Sequence, residues 1–142
     1  GQRAGEKPKP LPDCPIAYKE VPMKTLNTVQ VWNRACDLSI QIHNSLEPCK
    51  DAAMRDALTR TSVDVAAKIA QGYELKTRQH CWQWLANARG SCAALRTRLY
   101  IASELDVLDS EQSYQLINET LEISTQLDQL LEQYEVKYCP WN

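Results

Sequence analysis

Apolar residues recur at steps of three and four along most of the chain, which is the spacing of one buried face on an α-helix. Four segments carry this pattern, and we predict helices over residues 26–46, 51–71, 77–104 and 109–136. The connections between them are short, so each helix is expected to run antiparallel to the one before it. The pattern therefore predicts an all-α fold, an up-and-down antiparallel four-helix bundle.

The predicted core follows the apolar stripes of these helices. Within it we place eight large side chains, namely Trp32, Val65, Ile69, Leu85, Leu95, Leu99, Leu121 and Leu131. The third helix is the most regular, because apolar or small residues repeat every seven positions along it. The first helix has more apolar residues than one face needs, since Val31, Leu38 and Ile40 fall off its predicted stripe. These residues favour a second apolar contact, such as one with another subunit.

Two glycines interrupt the middle of the chain. Gly72 follows the second apolar stripe, where a left-handed residue that ends a helix is expected. Gly90 lies inside the third predicted helix, where glycine costs about 1 kcal/mol relative to alanine. A mid-helix glycine is typical of a place where another backbone comes close, so we expect a neighbouring element against Gly90.

Length and proline placement indicate the domain organisation. A chain of 142 residues is the size of one domain, and five of its seven prolines lie in the first 22 residues. We predict a proline-rich arm over residues 1–24, a bundle over 25–137 and a short tail over 138–142. The sequence has no run of 18 apolar residues and no apolar leader, so we expect no membrane span and a cytoplasmic location.

The net charge of −2 conceals a strong asymmetry along the sequence. Residues 50–99 carry nine basic and four acidic side chains, whereas residues 100–142 carry one basic and nine acidic side chains. The segment containing the second and third predicted helices is thus basic, and the fourth helix is acidic. Such segregation can steer a charged partner or set the order of subunits in an assembly.

Patterns typical of catalysis are missing from the sequence. Its six cysteines form no C-x-x-C pair, and neither histidine follows a glutamate at the spacing that di-iron bundles use. No phosphate-binding glycine loop or nucleophile elbow is present. The acids of the fourth helix are best explained as a solvated face. We therefore expect no enzyme activity, no metal and no cofactor, and thiols that pack as small apolar groups.

A candidate binding surface follows one side of the third helix. Three arginines and a tryptophan recur there at steps of four, seven and seven, and they are Arg78, Trp82, Arg89 and Arg96. Lys68 and Lys76 lie nearby in the sequence and add positive charge. Arginines beside an aromatic side chain suit phosphate and base contacts in nucleic acid, or an interface with another protein. The alternative is a solvated basic face with one exposed aromatic residue.

The middle of the chain, about residues 28–135, carries motifs of a known family. The second helix ends in a match to Ser-Ile-Pro-x-Asn-Ile-Ala-Glu-Gly, at Asp64, Val65, Ala66, Ala67, Lys68, Ile69, Ala70, Gln71 and Gly72. The third helix matches Phe-Leu-x-x-Ala-x-Gly-Ser and then Glu-Leu-x-Thr-x-Leu, at Trp84, Leu85, Ala88, Gly90, Ser91, Ala94, Leu95, Thr97 and Leu99. The first helix opens in a similar way, at Val31, Trp32, Ala35 and Leu38. Packing positions are kept, whereas the family's proline, asparagine and two glutamates are replaced by Ala66, Lys68, Gln71 and Ala94.

These motifs resemble those of small bacterial four-helix-bundle proteins encoded in intervening sequences of 23S ribosomal RNA genes. That family includes the accessory variability determinant of diversity-generating retroelements. The resemblance implies a non-enzymatic bundle that assembles into a homopentameric ring. It also implies a basic surface that binds RNA or DNA together with a reverse transcriptase.

For this chain, nucleic-acid binding at the third helix would require the acidic fourth helix to face away from the ligand, because its charge would otherwise cancel the field. The alternative is a protein-interaction module of the same family with no direct role in nucleic-acid binding. In that case the acidic and basic helices would pair between subunits.

Overall fold

Four α-helices make up the computed structural model, which describes residues 23–75 and 77–137, and the side chains of all of these except 23–26, 78 and 134–137. The helices are Met23–Ser45 (α1), Ala52–Glu74 (α2), Arg78–Glu104 (α3) and Ser110–Lys137 (α4), and the described residues contain no strand. The predicted all-α class is confirmed. The predicted arm and tail lie outside the described residues, except that residues 23 and 24 already belong to α1.

Side-chain caps fix the starts of three helices. Asp51 accepts a hydrogen bond from Met54 N–H at 3.0 Å, and Thr77 accepts one from His80 N–H at 3.2 Å. Asp109 accepts one in the same way at the start of α4. Each cap satisfies an amide that the first helical turn leaves without a partner.

The helices form a closed square, because each packs against the next along the chain and α1 packs against α4. The register of α1 and α4 shows their direction. Arg34 bonds Glu119, whereas Ser45, later in α1, bonds Gln112, earlier in α4. Rising numbers on one helix therefore meet falling numbers on the other, which makes the pair antiparallel, as predicted.

The core is built most regularly on α3. Every apolar position of its seven-residue repeat is buried, namely Cys81, Leu85, Ala88, Cys92, Leu95, Leu99 and Ala102. Val65 and Ile69 of α2 are buried as predicted. Apolar or small residues repeat regularly every seven positions along α3, so the sequence identifies its buried face.

The predicted core is wrong on α4. Leu121 is 45% exposed, and the inward positions are held by residues such as Ile123 and Leu127, which are fully buried. Leu131, and Trp32 on α1, are half-buried and pack against the core from its edge. Because α4 has large apolar residues on both sides of the buried stripe, spacing alone does not choose between neighbouring faces.

The buried face of α1 is rotated from the predicted one. Val31 and Leu38, predicted to lie off the stripe, are 1% and 2% exposed and belong to the core. Arg34 faces α4 and Ser39 faces α2, so the residues that lie between these two directions point inward. Of the three residues predicted to make a second apolar contact, Ile40 remains at the surface, where it is 60% exposed.

Neither glycine has its predicted role. Gly72 lies inside α2, whose last turn closes when Leu75 N–H bonds the Gly72 carbonyl. A Cβ built on Gly72 would be 3.1 Å from Trp84 Cβ and 3.3 Å from the Cys81 carbonyl oxygen, so α3 comes close enough that any side chain here would press on it. Gly90 is exposed, and a Cβ built on it would meet nothing within 4 Å. The close approach expected at Gly90 therefore occurs at Gly72.

Candidate macromolecular interface

α3 lies between α2 and α4, and this position determines where its basic side chains point. Arg89 faces α4: its Nε donates to Asp128 Oδ1, and its Nη2 donates to Asp128 Oδ2 at 3.3 Å. The side chains of Arg89 and Asp128 are 50% and 47% exposed, so this ion pair lies at the surface. A pair this exposed contributes on the order of 0–1 kcal/mol. Arg89 is therefore held by α4 only weakly.

Arg96 lies seven residues further along the same side of α3. Its Nη1 donates to Thr120 Oγ1 at 3.3 Å and to Ser124 Oγ at 3.4 Å, so its guanidinium also reaches α4. In the same seam, the Cys92 thiol donates to the Thr120 carbonyl at 3.5 Å. Burial raises the pKa of the Cys92 thiol, because the charged thiolate would lose its hydration there.

Lys68 points into the other seam of α3. Its Nζ donates to Ser91 Oγ at 2.7 Å, across the contact between α2 and α3. Ser91 is two residues from Arg89, which is about 200° around a helix that turns roughly 100° per residue. Lys68 and Arg89 are therefore on opposite sides of α3. The structure divides the predicted basic patch between two seams.

Trp82 is half-buried and packs against the core. Its Nε1 is buried and has no hydrogen-bond partner within the described part of the chain. Arg78 begins α3, but its side chain and the whole of Lys76 lie outside the described residues. The structure thus locates the side chains of four of the six predicted residues.

The charge of α4 changes the electrostatics of this surface. α3 carries four basic side chains and one acidic side chain, whereas α4 carries six acidic and one basic. Because Asp128 already bonds Arg89, the acidic helix does not face away from the predicted basic surface. Sequence reasoning missed Asp128, Thr120 and Ser124, since their contacts with α3 depend on the register of α4. Spacing within α3 carries no signal of that register.

An apolar surface lies along the seam of α1 and α2, on the opposite side of the helix square. Ser39 Oγ and Ser62 Oγ are 2.9 Å apart, which sets the register of these two helices. The next residue on each helix, Ile40 and Val63, flanks the outside of the seam, and the two are 60% and 50% exposed. Four further residues continue this surface at helical spacing, namely Trp32, Cys36, Ala67 and Ala70. We refer to these six residues as the α1–α2 face.

Two further findings concern residues 23–75 and 77–137. No group of His, Cys, Asp and Glu side chains is placed there to hold a metal ion, and no cysteine of this part of the chain is disulfide-bonded. None of its helices combines the length and apolar character needed to cross a membrane.

Comparison with known proteins agrees with the motifs around Gly72 and Gly90. The model of the 23S rRNA-intervening sequence protein family matches residues 27–129. A crystal structure of a protein of unknown function from the S23 ribosomal protein family of Bacteroides thetaiotaomicron VPI-5482 has a TM-score of 0.71. That protein is 16% identical, over 75% of this chain and 98% of its own, so the likeness shows the fold alone. None of the curated proteins matches the chain. The family match covers well over half of the sequence, and the chain belongs to the 23S rRNA-intervening sequence protein family.

Proposed function

We propose that the protein is a non-enzymatic accessory protein that acts as a homo-oligomer, with the α1–α2 face as a contact between copies. The observation that carries the proposal is this exposed apolar face on a subunit whose core is already closed. Burying the exposed 60% of Ile40 or 50% of Val63 stabilises an assembly by about half of the roughly 1.5–3 kcal/mol that complete burial of such a side chain contributes. None of the six residues of the face is charged, so burying it leaves no unpaired charge.

The homopentameric ring implied by the family resemblance is part of this proposal. A face that pairs with itself gives a two-fold dimer, whereas a ring needs each face to meet a different surface of the next copy. Exposed apolar residues of α3 and α4, namely Tyr100, Tyr114 and Leu121, offer such a second surface.

Light scattering at micromolar concentration tests the assembly. Five copies of a 16.2 kDa chain predict a mass of about 81 kDa. The Ile40→Glu, Val63→Glu double variant should fall to the mass of one chain while keeping its helical circular dichroism, because both residues are exposed in the subunit. Leu105→Glu is the matched control, since Leu105 is 62% exposed but lies outside both proposed surfaces. A wild-type mass of 16.2 kDa would exclude the assembly, and an unchanged mass of the double variant would exclude this face.

A second candidate is that the assembly binds nucleic acid together with a reverse transcriptase. It is supported by the weak contacts that α4 makes with two arginines. Arg89 forms an ion pair that is half-exposed, and Arg96 donates two long hydrogen bonds to neutral hydroxyl groups. Both guanidinium groups would exchange these contacts for phosphate oxygens, although the negative charge of α4 beside them opposes this binding, because α4 does not face away as nucleic-acid binding would require. Lys68 bonds the neutral Ser91, so its charge is not compensated there. Lys76, Arg78 and Trp82 complete the proposed surface, and a ring would repeat it around an axis.

Titration with labelled single-stranded RNA and DNA tests the nucleic-acid role. Binding should weaken steeply as salt rises, and Arg89→Glu, Arg96→Glu should abolish it at about 50 mM salt. Asp128→Asn is the sharper control, because it removes the carboxylate that competes for Arg89 and should strengthen binding. Unchanged binding by the arginine variant, or no binding by the wild type, would leave the protein-interaction module. Co-elution of the oligomer with a reverse transcriptase encoded beside its gene tests the protein partner.

A further inference from the structure

A polar groove lies between the start of α1 and the last third of α4, apart from the surfaces described above. Its volume is about 150 Å³, and its lining consists of five carboxamide side chains and one leucine, namely Asn27, Gln30, Gln126, Gln129, Gln133 and Leu130. Small-molecule sites have volumes of about 300–1,000 Å³, so this groove suits one end group of a larger partner.

One carboxamide in the groove has an unmet hydrogen bond. Gln126 Oε1 is buried and has no partner among the described residues. A buried acceptor without a donor is unfavourable, so the groove favours a ligand that brings an N–H or O–H group to this oxygen.

The surrounding side chains determine the charge of that ligand. Glu122 precedes Gln126 by four residues, so the two lie on the same face of α4. The Glu122 side chain is 64% exposed, and its carboxylate lies 3.8 Å from the Arg34 guanidinium. Arg34 is shared between Glu119 and Glu122, so these two carboxylates together keep one net negative charge. This charge repels phosphates and carboxylates and attracts a cation.

The seam between α1 and α4 already holds one guanidinium group. Arg34 Nε and Nη2 donate to the two carboxylate oxygens of Glu119 at 2.5 and 2.9 Å. Gln30 lies one turn before Arg34 on α1, so the groove continues the same seam beyond this contact. A guanidinium group presents five N–H donors in a plane, which matches several acceptor oxygens around a groove better than a compact ammonium group does.

We propose that this groove binds a guanidinium group, the arginine side chain of a partner protein. The Gln126 side chain turns to bring its buried Oε1 to the groove, where it accepts one N–H of the arginine, and the carboxylate of Glu122 attracts the positive charge of the arginine. The aliphatic part of the arginine lies along Leu130, as the stems of long basic side chains do on apolar surface. The proposal does not depend on the α1–α2 face or on nucleic-acid binding.

Nuclear magnetic resonance of the full chain tests the proposal, because the side-chain amides of Asn and Gln are observed directly. N-acetyl-argininamide should shift the amide signals of Gln30 and Gln126. N-acetyl-lysinamide should shift them less, and the citrulline analogue, which has the same shape but no charge, should leave them in place. Glu122→Gln should weaken the binding of N-acetyl-argininamide roughly fivefold. Gln126→Leu should remove binding.

Glu111→Gln is the matched control, since it removes the same charge from the first turn of α4, about 16 Å from Glu122 along the helix. It should leave the affinity for N-acetyl-argininamide unchanged. An equal loss in Glu111→Gln and Glu122→Gln would show that the overall charge of α4, not the groove, attracts the probe. The proposal would be overturned by shifts of equal size with the citrulline analogue, or by no shift at about 10 mM N-acetyl-argininamide. It would also be overturned if the signals shifted with adenosine and not with N-acetyl-argininamide.

Discussion

The two seams on either side of α3 are held together in different ways. At the α2–α3 seam a Cβ on Gly72 would fit only if Trp84 and Cys81 of α3 moved by a few tenths of an ångström. The α3–α4 seam is packed as well, but along its outer edge side chains such as Arg89 and Arg96 reach acceptors on α4. A close apolar contact does not tolerate added volume, whereas exposed polar contacts exchange partners at little cost. We therefore expect the close contact at Gly72 to matter for the fold, and the outer edge of the α3–α4 seam to be where the proposed nucleic-acid ligand would bind.

The largest effect on the free energy of unfolding should come from shortening Leu85, at the α2–α3 seam. Leu85 is 1% exposed, and its Cγ would lie 3.7 Å from a Cβ on Gly72. Leu85→Ala should lower the free energy of unfolding by about 2–5 kcal/mol, measured by urea denaturation, because it leaves a cavity. Leu105→Ala is the control with the same chemistry at a 62% exposed site outside the proposed contacts between copies, and it should cost about 0.5 kcal/mol or less. Similar losses for the two variants would contradict the assignment of the core.

The fold could be predicted where one apolar stripe repeats regularly along a helix. α3 has such a stripe, and its buried positions follow the seven-residue repeat. α1 and α4 have apolar residues on more than one side, and there the predicted faces failed at Val31, Leu38 and Leu121. Which of two apolar faces is buried depends on the contacts that a neighbouring helix makes, and those contacts are not encoded in the spacing of one helix.

The candidate site was harder to predict than the fold. Heptad spacing places Arg89 and Arg96 on one side of α3, and the structure agrees, since both face α4. Proximity in sequence suggested that Lys68 belongs with them, but its bond to Ser91 puts it in the other seam. The pairing of Arg89 with Asp128 needs the register of two antiparallel helices, which single-helix patterns cannot supply.

The next largest effect on the free energy of unfolding should come from adding a Cβ at Gly72, in the α2–α3 seam. Alanine raises intrinsic helix stability by about 1 kcal/mol relative to glycine, but at Gly72 its Cβ would press on the Trp84 Cβ and on a backbone carbonyl. Neither of these atoms can move aside as a flexible side-chain end would. Gly72→Ala should therefore lower the free energy of unfolding by about 1–3 kcal/mol, measured by the same urea denaturation. A gain in stability would show that α2 and α3 are able to separate without loss.

The free energy of unfolding should fall at alkaline pH because of Cys92, which lies in the α3–α4 seam. Burial raises the pKa of Cys92 above its ordinary value of 9.0. As the pH rises above about 9, the unfolded chain loses this proton while the folded chain keeps it, so stability falls. The Cys92 contribution is at most about 1.4 kcal/mol per pH unit. Cys92→Ala should lower stability at neutral pH and flatten the alkaline decline, measured by urea denaturation between pH 8 and 10. Parallel declines in the two proteins would mean that Cys92 ionises alike in both states.

The smallest effect is expected on the outer side of α3, which belongs to neither seam. At Gly90 the missing Cβ serves no contact within the subunit, since nothing lies within 4 Å of the position it would occupy. Gly90→Ala should therefore raise the free energy of unfolding of the subunit by about 0.5–1 kcal/mol, opposite in sign to Gly72→Ala. Its mass by light scattering should stay unchanged if the surfaces proposed above are the contacts between copies. A fall in mass would place the outer side of α3 at an interface, where close approach by another copy would explain a glycine that the single subunit does not need.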